Sequence, residues 1–295
     1  MIYLKKKALH WEESNMPLTD REAMVLNEIQ EWERNLFEFE PNDFQLTYEK
    51  FLQQSFSLLP EKVQSQFFSV IDSWLFHLHS MIQGSQLQMD AKERILSSGR
   101  IFYKDLEEIA DLKKLSIEQL QYIAEQQIAR HRFYSFAQGG LAGTGGPLLL
   151  STDIPAIAVI NLRVVQLIAM TYGVEVNTPF EMMTSLKVFH TATLPPRLQR
   201  AGWTSLMEEL EAQEDYYFYE GNEEITDITW LEQPVQQLMK ALVISLFRKK
   251  TIQGIPLVSM AIGASANYQL TRKVTDVAHK YYQLRYLREK EELMG

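Results

Sequence analysis

Apolar residues recur at helical spacing through most of the chain, and few segments alternate as a half-buried strand would. The spacing predicts helices beginning near residues 20, 60, 117, 153, 179, 195, 234 and 265. Three of these starts carry a capping box: Thr19 with Glu22, Ser116 with Gln119, and Thr178 with Glu181. In that arrangement the first side chain accepts from the N3 amide and the N3 side chain reaches back to the cap. Pro179 adds a residue whose missing N–H costs nothing at a first helical position. The helix expected over Ile154 to Tyr172 starts at an Asp153 cap and stops at Gly173. It is apolar on nearly every face, which places it at the centre of a bundle. The expected fold is therefore all-α, a multi-helix bundle with a buried glycine-containing helical core. Residues 40–58 are aromatic and irregular, and 211–229 form an acidic stretch expected to be an exposed loop. A boundary near residue 115 would separate an N-terminal helical region, 1–115, from a longer apolar helical domain, 116–295.

The run GGLAGTGGPLLLSTDIPAIAVI, residues 139–160, contains Gly139, Gly140, Gly143, Gly145 and Gly146. A P-loop needs a lysine after its glycines, and Pro147 follows Gly146. The dinucleotide fingerprint fails because Leu148 stands where its third glycine belongs and the preceding segment reads as a helix. A single membrane crossing is interrupted by Ser151-Thr152-Asp153 and ended by Arg163, since a bare carboxylate at bilayer depth is costly. Two readings remain. Either these glycines let helical backbones approach closely, which is the one taken here, or the segment is an interfacial or re-entrant hairpin. Gly173 belongs to the same structural glycine set as a helix terminator. Gly146-Pro147-Leu148 has a loose echo in Gly254-Ile255-Pro256-Leu257, each opening an apolar stretch.

With 46% hydrophobic and 23% charged residues among 295, the chain has the composition of a globular protein. Its net charge of −9 argues against nucleic acid as a partner. It contains no cysteine, which excludes disulfides and cysteine nucleophiles and fits a reducing, cytoplasmic compartment. Lys5 to Lys7 precede neither an apolar stretch nor a small-residue cleavage site, so no secretory signal is expected.

The histidines are His10, His77, His79, His131, His190 and His279, and no H-E-x-x-H occurs. Asp276 and His279 stand one helical turn apart, a spacing that suits half a metal site or a surface hydrogen bond. Asp72 with His77 and His79 is a poorer fragment, because residues two apart do not share a helix face. Asp153, beside Ser151 and Thr152, can be combined with the distant His190 into a hydrolytic set, although helix capping already accounts for Ser151 to Asp153. No G-x-S-x-G elbow is present. Amides at the Asp153 helix start would attract an anion that Asp153 itself repels. No cofactor is expected. Cations gather late in the chain, at Arg248, Lys249, Lys250, Arg272, Lys273, Lys280, Arg285 and Arg288. Some complement helix C-termini. Beside the apolar stretches 241–247 and 254–264 they also suit anionic headgroups or an acidic partner.

The glycine-rich segment, Asp153-Ile154-Pro155, and Ile168 to Gly173 resemble the core of EcsC-type bacterial proteins. The stretch from Gly254 to Leu287 resembles that family's closing segment: Ile-Pro and glycine, then Asn267-Tyr268 and a basic amphipathic helix. Ser259 departs from it where glycine is expected. The likeness covers roughly residues 116–291. It implies a bacterial protein associated with the Ecs ABC-transporter locus, linked loosely to transport and secretion, and it carries over no catalytic residue. The function expected is that of a non-enzymatic interaction protein at or near the inner face of the cytoplasmic membrane. Its partners would be an anionic membrane surface or a membrane transporter component. The alternatives are a hydrolase or metal-dependent enzyme using Asp153 and a histidine, and a homo-oligomer that buries the glycine faces.

Overall fold

A computed structural model of the chain describes residues 18–40, 43, 85–144, 146–194, 196–212 and 256–292. The helices expected near 60 and 234, nearly all of the irregular and acidic stretches, and Arg248 to Lys250 lie outside these residues, as do His10, Asp72, His77 and His79. Among the described residues the regular structure is helical: α1 (Asp20–Phe37), α2 (Gln86–Gly99), a 3-10 helix (Ile109–Lys114), α3 (Ile117–Thr144), α4 (Gly146–Thr171), α5 (Pro179–Thr193), α6 (Pro196–Ala212) and α7 (Pro256–Glu292).

α4 is the centre, as its apolar composition requires. Leu162, Val164, Val165, Leu167, Ile168 and Ala169 are wholly buried. α3 and α7 form the most extensive helix pair, and α4 packs against both. One hydrophobic cluster joins Val25 of α1, Ile95 of α2, Leu120 of α3, Ile168 of α4, Leu206 of α6 and Val277 of α7, so residues on both sides of position 115 share it. Trp203 of α6 closes the α1 side, donating to Glu33 Oε1 at 2.8 Å and meeting Trp32 edge-on.

Local signals set several boundaries. Thr19 and Glu22 form the reciprocal capping box at α1. At α5 only half of the box forms: Thr178 Oγ1 accepts from the Glu181 amide at 3.2 Å, while the Glu181 carboxylate goes elsewhere. α4 ends in a Schellman turn, with Gly173 at φ 78°, its N–H donating to Met170 O and the Val174 N–H donating to Ala169 O.

Two starts differ from expectation. α4 begins at Gly146, so Asp153 lies inside the helix rather than capping it. α7 begins at Pro256 rather than near 265. Both starts have a proline in the first turn, where it is tolerated; the Gly-Pro and Gly-Ile-Pro echo marks helix openings. α2 had no counterpart in the apolar pattern, because its sequence is largely polar. Its signal is Ser85, whose hydroxyl accepts from the Gln88 amide at 3.2 Å.

Candidate functional site

The seam between α3 and α7 is built from small and polar residues. A Cβ added to Gly139 would stand 2.3 Å from the Gly263 carbonyl oxygen, so the two backbones touch at this level. Next to it Gly140 has Ala264 Cβ at 3.8 Å, an ordinary contact. Moving along the seam, Asn267 Nδ2 donates to Gln138 Oε1, Ser135 Oγ donates to the Asn267 carbonyl, and Thr271 Oγ1 donates to Ser135 Oγ, each at 2.7 Å. Arg132 then donates to Thr275 Oγ1 and to Asp276 Oδ1 at 2.7 Å. These contacts fix the antiparallel register of the two helices.

That register exposes a boundary in charge. Beyond Arg132, α3 has no residue charged at neutral pH from 133 to 144, and α7 has none from 256 to 271. α4 has one, Asp153, between 146 and 162. The first charged residues on the inner side are Arg132 on α3, Arg163 on α4 and Arg272-Lys273 on α7. Arg163, Arg130 and Arg94, from α4, α3 and α2, lie close enough to His131 to act on its charge. Beyond Arg132 α3 presents large apolar side chains to solvent: Phe133 is 65% exposed, Phe136 50% and Leu141 70%, with Tyr134 and Tyr268 of α7 beside them. Side chains of residues 142–155, and hence those of Gly143, Gly145, Gly146 and Asp153, lie outside the described set.

Two of the candidate chemical residues have different partners. His279 shares a hydrogen bond of 2.9 Å with the Tyr172 hydroxyl, while Asp276 pairs with Arg132. The Asp276–His279 spacing thus serves two different partners. His190 is buried in α5, and its carbonyl accepts from Thr193 Oγ1. Among the described residues no group of three histidine, aspartate or glutamate side chains gathers to hold a metal. The late basic residues also divide. Arg272 and Lys273 are exposed, Lys280 is held by Glu28 at 3.5 Å, and Arg288 pairs with Glu211 at 3.4 Å. Arg285 is buried against Glu181 in a bidentate pair of 2.8 and 2.6 Å, and also donates to Glu289, which pairs with Lys113 at 2.6 Å. Burial opposes charge on Arg285, yet the attraction and hydrogen bonds of Glu181 hold its pKa well above the usual value.

His131 is a buried, pH-sensitive element of the fold. Its Nδ1–H donates to the Gln127 carbonyl at 2.9 Å, and burial, with the nearby arginines adding to it, lowers its pKa to about 4. The unfolded imidazole titrates near 6.5. Between these values the unfolded chain binds more protons, so stability is fully present above about pH 6.5 and is lost as pH falls towards about 4. Lowering pH from about 7 to about 5 should cost about 2 kcal/mol through His131 alone. Burial lowers the His279 pKa to about 3, so this group contributes in the same direction. Urea unfolding at the two pH values measures the loss, and His131→Asn, which keeps the Nδ1-side donor, should remove about 2 kcal/mol of it. An unchanged pH dependence in that variant would refute the assignment.

The chain belongs to the EcsC protein family, whose model matches residues 23–287. It is similar to YdbA, an uncharacterized protein of Bacillus subtilis strain 168, with 23% identity over 286 residues, 93% of this chain and 97% of that protein. It is also similar to Protein EcsC of the same organism, with 26% identity over 214 residues, 72% of this chain and 80% of that protein. No solved structure matches the chain.

Proposed function

We propose that this EcsC-family chain is a non-enzymatic interaction protein that works on the inner face of the cytoplasmic membrane, where a transporter component is its partner. The observation that carries this reading is the end of the α3–α4–α7 assembly, where Phe133, Phe136 and Leu141 face outward from helix ends whose one formal charge is Asp153. Contiguous exposed apolar surface of this kind marks an interaction site, since water disfavours it. No helix among the described residues is long and apolar enough to cross a membrane, so the reading is one of association from one side. The hydrolase or metal alternative gains no support from the described histidines, whose nearest polar partners are Gln127 for His131 and Tyr172 for His279.

Flotation of the purified protein with vesicles of mixed phosphatidylethanolamine and phosphatidylglycerol tests the reading. The protein should float with the vesicles. Full burial of a phenylalanine side chain is worth about 1.5–3 kcal/mol, so Phe133→Asn with Phe136→Asn should weaken partitioning about a hundredfold. Protein that stays at the bottom of the gradient in the presence of every vesicle overturns the proposal.

A further inference from the structure

We propose that the cations bordering this end, whose one formal charge is Asp153, form a binding site for anionic lipid headgroups, and that this ring sets how far the end enters one leaflet. The inference rests on the membrane reading above and adds the lipid class, the residues and the depth.

The ring is a consequence of register. Arg132 is locked to Thr275 and Asp276, which brings Arg272 and Lys273 to its level on α7. Arg163 of α4, Arg94 of α2 and Arg130 each lie close enough to His131 to act on its charge. Arg94, Arg272 and Lys273 are exposed, and Arg130 is half-buried. The acids nearby are Asp276, which pairs with Arg132 and at 3.9 Å with Arg272, Asp90 near Arg163, and Glu93 beside Arg94, which pairs with Arg100. Cations therefore outnumber acids here, although the whole chain has a net charge of −9. A positive band on an acidic protein, placed where the uncharged helix ends begin, is complementary to a plane of phosphates.

The uncharged stretch of α3 is close to one leaflet in length. At about 1.5 Å per residue, α3 rises about 18 Å from 133 to 144. The hydrocarbon core is about 30 Å thick, so one leaflet is about 15 Å. Tyr134 and Tyr268 lie just beyond the cations, where amphipathic rings favour the interface. Lysine and arginine reach headgroups while their stems rest on apolar surface.

The chain has no cysteine, so one introduced cysteine carries a polarity-sensitive fluorophore at a known place. Labels at Phe136→Cys and, near the opposite end of α3, at Tyr122→Cys are compared on vesicles of pure phosphatidylcholine and on vesicles containing phosphatidylglycerol. The label at 136 should shift to the blue only with phosphatidylglycerol vesicles, and the label at 122 should remain aqueous. Each surface cation contributes about fivefold to binding, so Arg272→Glu with Lys273→Glu should reduce it by at least about tenfold. Arg272→Gln with Lys273→Gln should give an intermediate loss, and raised salt should weaken the wild type. Both pairs of side chains are exposed, and retained helical circular dichroism confirms folding. Two outcomes overturn the inference while leaving the membrane reading standing: equal binding to both lipids, or wild-type binding by the charge-reversed variant; an aqueous label at 136 on floated protein overturns the inference and also removes the surface on which the membrane reading rests. A blue shift at 136 without vesicles means that a second copy covers this face, which also overturns it. If no vesicle floats the protein, the membrane reading falls and this inference falls with it.

Discussion

Gly139→Ala is expected to destabilise the protein by roughly 3 kcal/mol, whereas Gly140→Ala, at the next position, should stabilise it by up to about 1 kcal/mol. Alanine is the better residue in a helix interior because glycine loses more backbone entropy on folding. At Gly140 that advantage is available, since the nearest atom to an added Cβ is Ala264 Cβ at 3.8 Å. At Gly139 the added carbon would meet the Gly263 oxygen at 2.3 Å and its carbonyl carbon at 2.8 Å. Both are backbone atoms of a helix and neither can rotate away. α3 and α7 must then separate, which stretches the Gln138–Asn267 and Ser135–Asn267 bonds as well as the contact itself. Denaturant midpoints of the two variants against the wild type measure the contrast. Equal stability of Gly139→Ala and the wild type would show that the helices do not meet as described.

The features legible in the sequence are those decided within a few residues. Thr19 and Glu22 form their cap because both partners belong to one turn. Gly173 ends α4 because its φ of 78° suits glycine and disfavours other residues. Local signals mislead where two compete. Ser151-Thr152-Asp153 has the residue types of a helix start, but a helix already running from Gly146 continues through it. Propagating a helix adds one bond per residue, whereas a new start must repeat nucleation. Choice of partner across the fold was not legible. Glu181 abandons its own cap for Arg285, and Lys280 finds Glu28, since long-range register brings these residues together. The cations we propose as a headgroup site escape a local reading for the same reason, as Arg94, Arg130, Arg132 and Arg163 belong to three helices. A usable signal was nevertheless present: counting outward from the glycine segment, and inward from Pro256, the first basic residues met are Arg132, Arg163 and Arg272.

Arg285→Met should destabilise the protein by about 3–5 kcal/mol, because it leaves the Glu181 carboxylate buried without its counter-ion. Both side chains are almost inaccessible, 4% exposed for Arg285 and 5% for Glu181. Glu181→Leu should cost less, about 3 kcal/mol, since Arg285 retains Glu289 at 2.8 Å. With both replacements no charge of this pair is left stranded, and much of the loss should return. The double variant should then be clearly more stable than the sum of the single losses predicts, a coupling that a double-mutant cycle in urea reads directly. A loss below about 1 kcal/mol in Arg285→Met would mean that solvent reaches the pair. The same variant separates fold from function. Arg285 lies about 20 Å along α7 from Arg272, far from the uncharged end, and it faces inward. Folded Arg285→Met protein should therefore float with phosphatidylglycerol vesicles as the wild type does, although it unfolds at lower denaturant. If it unfolded no earlier but lost vesicle binding, the inner half of α7 rather than its uncharged end would be the contact surface.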